Sequence, residues 1–207
     1  MPDGVWRRFL RSVGVVRQFP PPRVEGDAQA RAVRGALEAF LARDEDRFRR
    51  LFLGGEPLVL ADAERPWMEV LVAAGYVTTI LAGAVRPCVR VFFLDELFIA
   101  TDLLAHHDED QVFSLMLEQV FLVRSMDLRK GDHVLELCLG SGVNALAAAR
   151  RGAARVLGVD VSERALAFAA MNAAVNLSRE RATRPSRRSA GTCSTLLPKG
   201  NASISSS

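Results

Sequence analysis

The sequence predicts an α/β protein in which a partial Rossmann-like parallel sheet follows a small helical, winged-helix-like domain. The first observation is the order of patterns in residues 133–160, where an apolar run, a glycine turn, an alanine-rich segment and a second apolar run end at Asp160. This order is typical of a βαβ unit that binds an adenosine-containing cofactor. The second observation is that short helical patterns and then a β-ribbon pattern precede this unit.

Four regions are expected along the 207 residues. Residues 1–23 are predicted to be a disordered leader and residues 24–103 a small helix-plus-β-ribbon domain. Residues 104–178 are predicted to be a partial Rossmann-like cofactor-binding domain, and residues 179–207 a disordered or frameshifted tail. This length is enough for one domain with a small attachment.

The charge distribution argues against a large phosphate-binding surface. The formal net charge is +3, but residues 179–207 alone carry +5, so the first 178 residues carry −2. The basic character therefore belongs to the tail, and nucleic-acid binding by the body of the protein is disfavoured. Cys88, Cys138 and Cys193 have no paired spacing, which indicates neither a disulfide framework nor a zinc site.

No membrane association is expected. Residues 1–22 lack the sustained apolar centre of a secretory signal. The longest uncharged run, residues 70–85, is shorter than the roughly 20 residues that a membrane span needs. A cytoplasmic protein is the expectation. The leader could form a basic amphipathic helix, but a frayed terminus is the favoured interpretation.

The small domain is predicted from local patterns. Helical spacing starts near Asp27, continues at 47–52 and returns at 61–74, where Gly75 is a plausible stop signal. Residues 76–81, 88–94 and 97–101 are predicted strands, with Asp95 and Glu96 forming a turn. The candidate recognition helix is acidic, because Asp62, Glu64 and Glu69 outnumber Arg65, and this again disfavours nucleic-acid contact.

Residues 106–110 contain the one cluster with metal-ligand chemistry, His106-His107-Asp108-Glu109-Asp110. Adjacent histidines point in different directions, and no third ligand follows at a useful spacing. We therefore expect no metal, and instead predict that Asp108 or Asp110 caps a helix over residues 112–123. The strand predicted at 134–137 is apolar almost without alternation, which is typical of a parallel strand covered on both faces.

The glycine turn is compatible with two cofactors. Residues 140–145, Gly-Ser-Gly-Val-Asn-Ala, fit the weak dinucleotide pattern GxGxxG/A. However, Glu136 stands four residues before Gly140, where a carboxylate would repel a pyrophosphate. The sulfonium and ammonium groups of S-adenosylmethionine suit an acid at this position. Asp160, at the end of the second strand, can accept hydrogen bonds from both ribose hydroxyls.

Three motifs resemble those of class I S-adenosylmethionine-dependent methyltransferases. Residues 136–142 (ELCLGSG) are similar to their first motif, and residues 158–166 (GVDVSERAL) to the acidic motif after their second strand. Residues 172–176 (NAAVN) resemble the Asn-Ala-x-x-Asn helix end of the small-domain, HemK/PrmC-like branch, which methylates protein glutamines or ribosomal RNA bases. The resemblance covers about residues 132–177.

The resemblance implies S-adenosyl-L-methionine as cofactor. It places Glu136 and Gly140 near the methionine part and Asp160 at the ribose. The predicted cofactor-binding residues are Glu136, Cys138, Leu139, Gly140, Ser141, Gly142, Asp160 and Val161. The implied methyl acceptor is a nitrogen of a protein, such as a translation factor or ribosomal protein, or of an rRNA base.

The resemblance ends at residue 178. The serine-rich residues 179–207 show no helical or strand period, and the family's Asn/Asp-Pro-Pro-Tyr/Phe substrate motif is absent from the sequence. No catalytic residue can therefore be assigned. A shifted reading frame over residues 191–206 can encode a string resembling the family's third-strand loop and fourth strand, so a frameshift is one hypothesis and a genuine disordered tail the other.

The expected function is that of an S-adenosylmethionine-dependent methyltransferase which is inactive and poorly stable in this truncated form. An open sheet edge and an uncovered apolar face are the reasons for expecting low stability. Two other classes remain as alternatives, an NAD-dependent oxidoreductase fragment and a non-enzymatic winged-helix binding protein.

Overall fold

The computed structural model describes residues 19–80, 83–104, 110–178 and 192–196, the last of these as backbone. The predictions about residues 1–18 of the leader, about the 106–109 part of the histidine cluster, and about residues 179–191 and 197–207 of the tail lie outside these ranges.

Six α-helices and eight strands occur in the described ranges. The helices are α1 (Gly26–Arg43), α2 (Glu45–Phe52), α3 (Arg65–Ala73), α4 (Leu117–Ser125), α5 (Val143–Arg150) and α6 (Glu163–Leu177). The strands are β1 (Leu58–Val59), β2 (Val77–Thr79), β3 (Ala84–Pro87), β4 (Arg90–Leu94), β5 (Leu97–Thr101), β6 (His133–Leu137), β7 (Arg155–Val159) and β8 (Thr192–Leu196). A 3-10 turn (Asp62–Glu64) precedes α3.

The helices of the N-terminal part follow the predicted apolar spacing. α1 buries Val33, Leu37 and Phe40 on one stripe, as expected for an amphipathic helix. The Asp44 carboxylate accepts the Arg47 N–H at 2.9 Å and so caps the first turn of α2. The helix predicted at 61–74 begins as the 3-10 turn and becomes α-helical from Arg65, where proline is tolerated at the start.

Two antiparallel sheets complete this part. β1, β3 and β2 form one sheet in that order, and β4 and β5 form the predicted hairpin. Asp95 and Glu96 have φ values of 47° and 65°, so both turn residues are left-handed, as a two-residue hairpin turn requires. β3 was not predicted, since its four residues form a run too short to stand out.

The C-terminal part contains the predicted βαβ unit. β6 and β7 pair in parallel, with Leu135 opposite Leu157, and α5 is the crossover helix. This confirms the predicted α/β, partial Rossmann-like class. β8 pairs in parallel with the other edge of β7, although the sequence pattern had indicated no strand after residue 178. A strand that pairs with an open sheet edge through its backbone requires no particular side chains. Its sequence therefore need not show a hydrophobic period.

Two expectations about local structure were wrong. The helix predicted at 112–123 begins only at Leu117, because tertiary hydrogen bonds hold the residues before it in a non-helical conformation. The Val112 N–H, for example, donates to the Asp102 carboxylate at 2.9 Å. β6 is not covered on both faces either, because Leu135 and Leu137 are exposed and none of the described elements packs over them.

One hydrophobic cluster joins the two parts of the chain. Side chains of α1, α2, α3, β4 and β5 pack in it together with Phe168, Met171 and Val175 of α6. The boundary predicted near residue 103 therefore crosses a common core rather than a solvent-filled gap. Among the described residues, no helix is both long and apolar enough to cross a lipid bilayer.

Candidate cofactor site

A cavity of about 370 Å³ opens where β6 and β7 end. Its volume falls within the roughly 300–1,000 Å³ range of small-molecule sites. The cavity brings together seven of the eight predicted cofactor-binding residues, namely Glu136, Cys138, Leu139, Gly140, Ser141, Asp160 and Val161. Gly142, the eighth, is not among its lining residues.

The glycine loop has the tight backbone that its composition predicts. Gly140 and Gly142 have φ values of 56° and 76°, and the Gly142 N–H donates to the Leu139 carbonyl at 2.8 Å. A Cβ atom on Gly142 would lie 3.1 Å from the Cβ of Ala169, so this glycine allows the loop to pack closely on α6. Cys138 also has a positive φ, of 56°, which is uncommon for a residue with a side chain.

Glu136 points from the end of β6 into the N-terminus of α5. Its two carboxylate oxygens accept hydrogen bonds from the Asn144 side-chain amide at 3.0 Å and from the Ala145 N–H at 2.7 Å. A carboxylate thus occupies the helix terminus that would receive a pyrophosphate in a dinucleotide-binding protein. Burial raises the pKa of Glu136, the hydrogen bonds from Asn144 and Ala145 oppose that shift, and the nearby Asp160 charge adds to it.

Asp160 links the glycine loop to the start of α6. Its carboxylate accepts the Gly140 N–H and the Ser162 N–H, each at 2.9 Å. A carboxylate has about four acceptor positions, so it can accept further hydrogen bonds from a ligand while both of these remain. The Ser162 side chain caps α6 by accepting the Ala165 N–H at 3.2 Å.

The cavity is strongly acidic. Asp110, Glu136 and Asp160 line it, and none of its described lining residues is a lysine or arginine. The Asn144 Oδ1 atom, also at the cavity, is buried without a hydrogen-bond partner among the described residues. An unpaired buried acceptor is costly, so a ligand that donates a hydrogen bond here would be favoured. The site therefore fits a cationic ligand with N–H and O–H donors.

Residues 110–115 form one wall of the cavity, and sequence reasoning missed them. Residues 112–115 were predicted to be helical and Asp110 to be a helix cap, so none of them was predicted to line a site. Tertiary contacts hold the wall in place: Arg90 donates to the Ser114 hydroxyl at 2.9 Å, and the buried Arg164–Asp102 pair fixes Asp102, which accepts the Val112 N–H. Asn144 and Ser162 were also missed, although both lie immediately beside a predicted motif.

The described residues contain no cluster of three or more potential ligands that could hold a metal ion. Of the histidine cluster, Asp110 alone is described, and it lines the cavity instead of capping α4. The N-cap of α4 is Met116. The prediction of helix capping by Asp110 was therefore wrong, because the helix starts seven residues later.

A family model described as ribosomal protein L11 methyltransferase (PrmA) matches residues 107–191. The cavity half of the chain is similar to methyltransferases. The matched span is about two fifths of the chain and contains β6, α5, β7 and α6. The name of this family model does not match the HemK/PrmC-like branch that the NAAVN helix end resembles. The assignment to that branch therefore remains a prediction. No curated protein matches the chain.

Two solved structures are also similar to parts of the chain. One is described as a SAM-dependent methyltransferase from Streptococcus mutans, with 14% identity and a TM-score of 0.36, and the match covers 58% of this chain. The other is described as a methyltransferase complexed with SAH, with 13% identity and a TM-score of 0.38, and covers 65%. In both cases the match covers 35% of the solved chain. TM-scores this low do not establish a common fold.

Proposed function

We propose that this chain is the cofactor-binding part of a class I S-adenosylmethionine-dependent methyltransferase. The observation that carries the proposal is the acidic cavity, in which Glu136 and Asp160 lie at the ends of adjacent parallel strands and no described cationic side chain faces them. Such a cavity favours a ligand with a sulfonium and an ammonium group over a pyrophosphate. The match of residues 107–191 to a methyltransferase family model supports the same cofactor.

The residues present have distinct roles in this proposal. Glu136 and the Asn144 Oδ1 atom would accept hydrogen bonds from the α-ammonium, and Asp160 would accept those of the ribose hydroxyls. Gly140 and Ser141 would let the backbone approach the ligand closely. The bound cofactor supplies an electrophilic methyl group for transfer to a nitrogen. The chain's contribution would be to orient the cofactor, since positioning is a main source of catalysis in such a transfer.

The methyl acceptor is proposed to be a nitrogen of a protein glutamine or of an rRNA base, met in the cytoplasm. The name of the matched family model favours a protein, such as a ribosomal protein or a translation factor. Because the sequence lacks an Asn/Asp-Pro-Pro-Tyr/Phe motif, we propose that this chain binds cofactor and transfers little or no methyl group. Efficient methylation of a ribosomal extract by the purified 207-residue chain would contradict the proposal that it transfers little or no methyl group.

Titration calorimetry with S-adenosylhomocysteine, S-adenosylmethionine and NAD tests the cofactor assignment. We expect both adenosyl ligands to bind and NAD not to bind. Glu136→Gln and Asp160→Asn should each weaken binding at least about tenfold, the loss typical of a hydrogen bond to a charged group. The matched control is Glu163→Gln, which removes an exposed carboxylate of α6 outside the cavity.

The same titration distinguishes the other function classes. Binding of NAD alone would replace the proposal with an oxidoreductase fragment. Salt-dependent binding of nucleic acid without any response to cofactor would indicate a winged-helix binding protein. No observation on the described residues favours either class. Glu136 blocks the anion position at α5, and the candidate recognition helix together with its 3-10 turn (residues 62–73) contains three acidic residues and one arginine.

A further inference from the structure

Two buried asparagines of α6 hydrogen-bond to the backbone of β5. Asn172 accepts the Ala100 N–H and donates to the Ala100 carbonyl, each at 2.9 Å. Asn176 does the same with Phe98, at 2.9 and 2.8 Å. Asn172 is fully buried and Asn176 nearly so. The two amides thus pair with the edge of β5 that faces away from β4, as a neighbouring strand would.

The spacing of the two asparagines explains this pairing. Residues four apart on a helix are separated by about 6 Å along its axis. Residues two apart on a strand, as Phe98 and Ala100 are, are separated by about 6.6 Å. Asparagine is suited to the position, because its side chain carries a carbonyl and an amide like those of the backbone. The helix therefore presents two peptide-like groups in register with the strand.

Only Asn172 also reaches the cofactor loop. Its Nδ2 atom donates a second hydrogen bond, at 2.9 Å, to the carbonyl of Ser141, which lies between Gly140 and Gly142 and lines the cavity. The corresponding second bond of Asn176 goes to the Asn172 carbonyl at 2.8 Å, within α6. The two side chains are thus alike in their contacts with β5. They differ in that Asn172 alone bonds to the loop, whereas Asn176 also accepts a hydrogen bond from Arg34 at 3.2 Å.

We propose that Asn172 is a positioning residue of the cofactor site. It holds the Ser141 carbonyl and thereby keeps the glycine loop in the conformation that binds the cofactor. Both Nδ2 hydrogens are committed, one to β5 and one to the loop, so the position of the loop is tied to the β4–β5 hairpin. In this way β5, which belongs to the small N-terminal part, supports the glycine loop indirectly through Asn172. The inference about affinity rests on the proposed cofactor-binding function, whereas the inference about loop conformation does not.

Hydrogen exchange followed by NMR tests the loop in the cofactor-free protein. The reporters are the Gly140 and Gly142 amides, which are bonded to Asp160 and to the Leu139 carbonyl. We expect Asn172→Ala to speed exchange of both amides at least about tenfold, because the loop loses its anchor. Asn172→Asp, which keeps the side-chain size and the acceptor but removes the amide donor, should act in the same direction and serves if the alanine variant does not fold.

Asn176→Ala is the matched control, since it removes the same two contacts with β5 and none with the loop. It should lower stability like Asn172→Ala while leaving exchange at Gly140 and Gly142 at the parent rate relative to global unfolding. Equal effects of the two substitutions on the loop, or no effect of either, would overturn the proposal, because Asn172 would then be merely structural.

The dissociation constant for S-adenosylhomocysteine is the second measurement. Both Asn172 variants should bind about tenfold or more weakly than the parent, and Asn176→Ala within about twofold of it. If the parent itself does not bind, the proposed function fails, but hydrogen exchange still decides whether Asn172 holds the loop. If the parent binds and the Asn172 variants bind equally well, the positioning role is wrong and the cofactor assignment stands.

Discussion

At the scale of single residues, Glu136 has an environment with a measurable consequence. Burial raises its pKa above the ordinary value of 4.5, so the folded chain binds a proton at Glu136 more tightly than the unfolded chain does. Its contribution to folding stability is therefore fully present below pH 4.5 and is lost as the pH rises through its raised folded-state pKa.

We predict that Glu136→Gln removes this pH dependence. Glutamine stays neutral, so the parent should lose stability relative to the variant as the pH rises from 4 to about 8. Urea unfolding at each pH measures the difference between the two free energies of unfolding. Glu163→Gln controls for the loss of one carboxylate from an exposed position. A parent–variant difference that stays constant with pH would contradict the assigned cause.

Gly158 of β7 illustrates a second residue-scale constraint. A Cβ atom there would lie 2.4 Å from Cδ1 of Leu139, a buried residue at the cavity. We predict that Gly158→Ala lowers the free energy of unfolding by about 1–3 kcal/mol, as overpacked cores do. In a double-mutant cycle with Leu139→Ala, measured by urea unfolding, the two costs should be less than additive. Additive costs would show that the two positions do not collide.

At the scale of elements, residues 110–116 lie before α4 without helix or strand structure, and their position depends on contacts with α6. Arg164 of α6 binds the Asp102 carboxylate, with Nε at 2.9 Å, and also donates to the Phe19 carbonyl at 2.8 Å. Asp102 in turn accepts the Val112 N–H, at the start of the cavity wall. A single buried ion pair therefore connects the segment before α1, the end of β5 and the cavity wall.

We predict that Arg164→Met lowers the free energy of unfolding by about 3–5 kcal/mol, the cost typical of removing one partner of a buried ion pair. Replacing both partners, as in Arg164→Met with Asp102→Asn, should cost less than the single substitution because the buried carboxylate is then removed together with its cationic partner. Guanidinium unfolding followed by circular dichroism provides both values. A double variant less stable than Arg164→Met would show that the pair does more than neutralise charge.

At the scale of the whole molecule, the described surface includes a large apolar face. Leu117 and Phe121 of α4 are 85% and 73% exposed, and Leu135 and Leu137 of β6 are exposed as well. Exposed apolar side chains in such numbers promote association. This observation is consistent with the uncovered apolar face that was expected from the sequence.

We predict that the chain self-associates with rising concentration and that Leu117→Glu with Phe121→Lys reduces this. The two new charges are four residues apart in the favourable order, so the free energy of unfolding should change by no more than about 0.5 kcal/mol. Sedimentation velocity over a range of concentrations measures the effect. Val59→Lys, at an exposed position of β1, is the control and should leave association unchanged. Equal reduction by the control would show that the exposed face of α4 is not the surface that drives association.

The parts of this molecule that could be predicted from sequence are local in the chain. Local spacing was enough to predict the β4–β5 hairpin and its Asp95-Glu96 turn, because a two-residue turn depends on adjacent residues. The left-handed conformation of the two turn residues came from the structure. The predicted start of α4 was too early because the Val112 N–H donates to Asp102, ten residues earlier, and Val112 therefore lies outside the helix. β8 was missed because backbone pairing leaves no periodic signature in the sequence.

The sequence by itself determined the βαβ unit, the glycine loop and the two acids at its strand ends, since each depends on residues within one short stretch. The tertiary structure alone decided that Glu136 caps α5, that residues 110–115 form a cavity wall, and that Asn172 holds Ser141. The Asn172 side chain bonds to residues 72 and 31 positions away. Contacts at such separations depend on how helices and strands pack, and local patterns of hydrophobicity do not specify which buried polar groups meet.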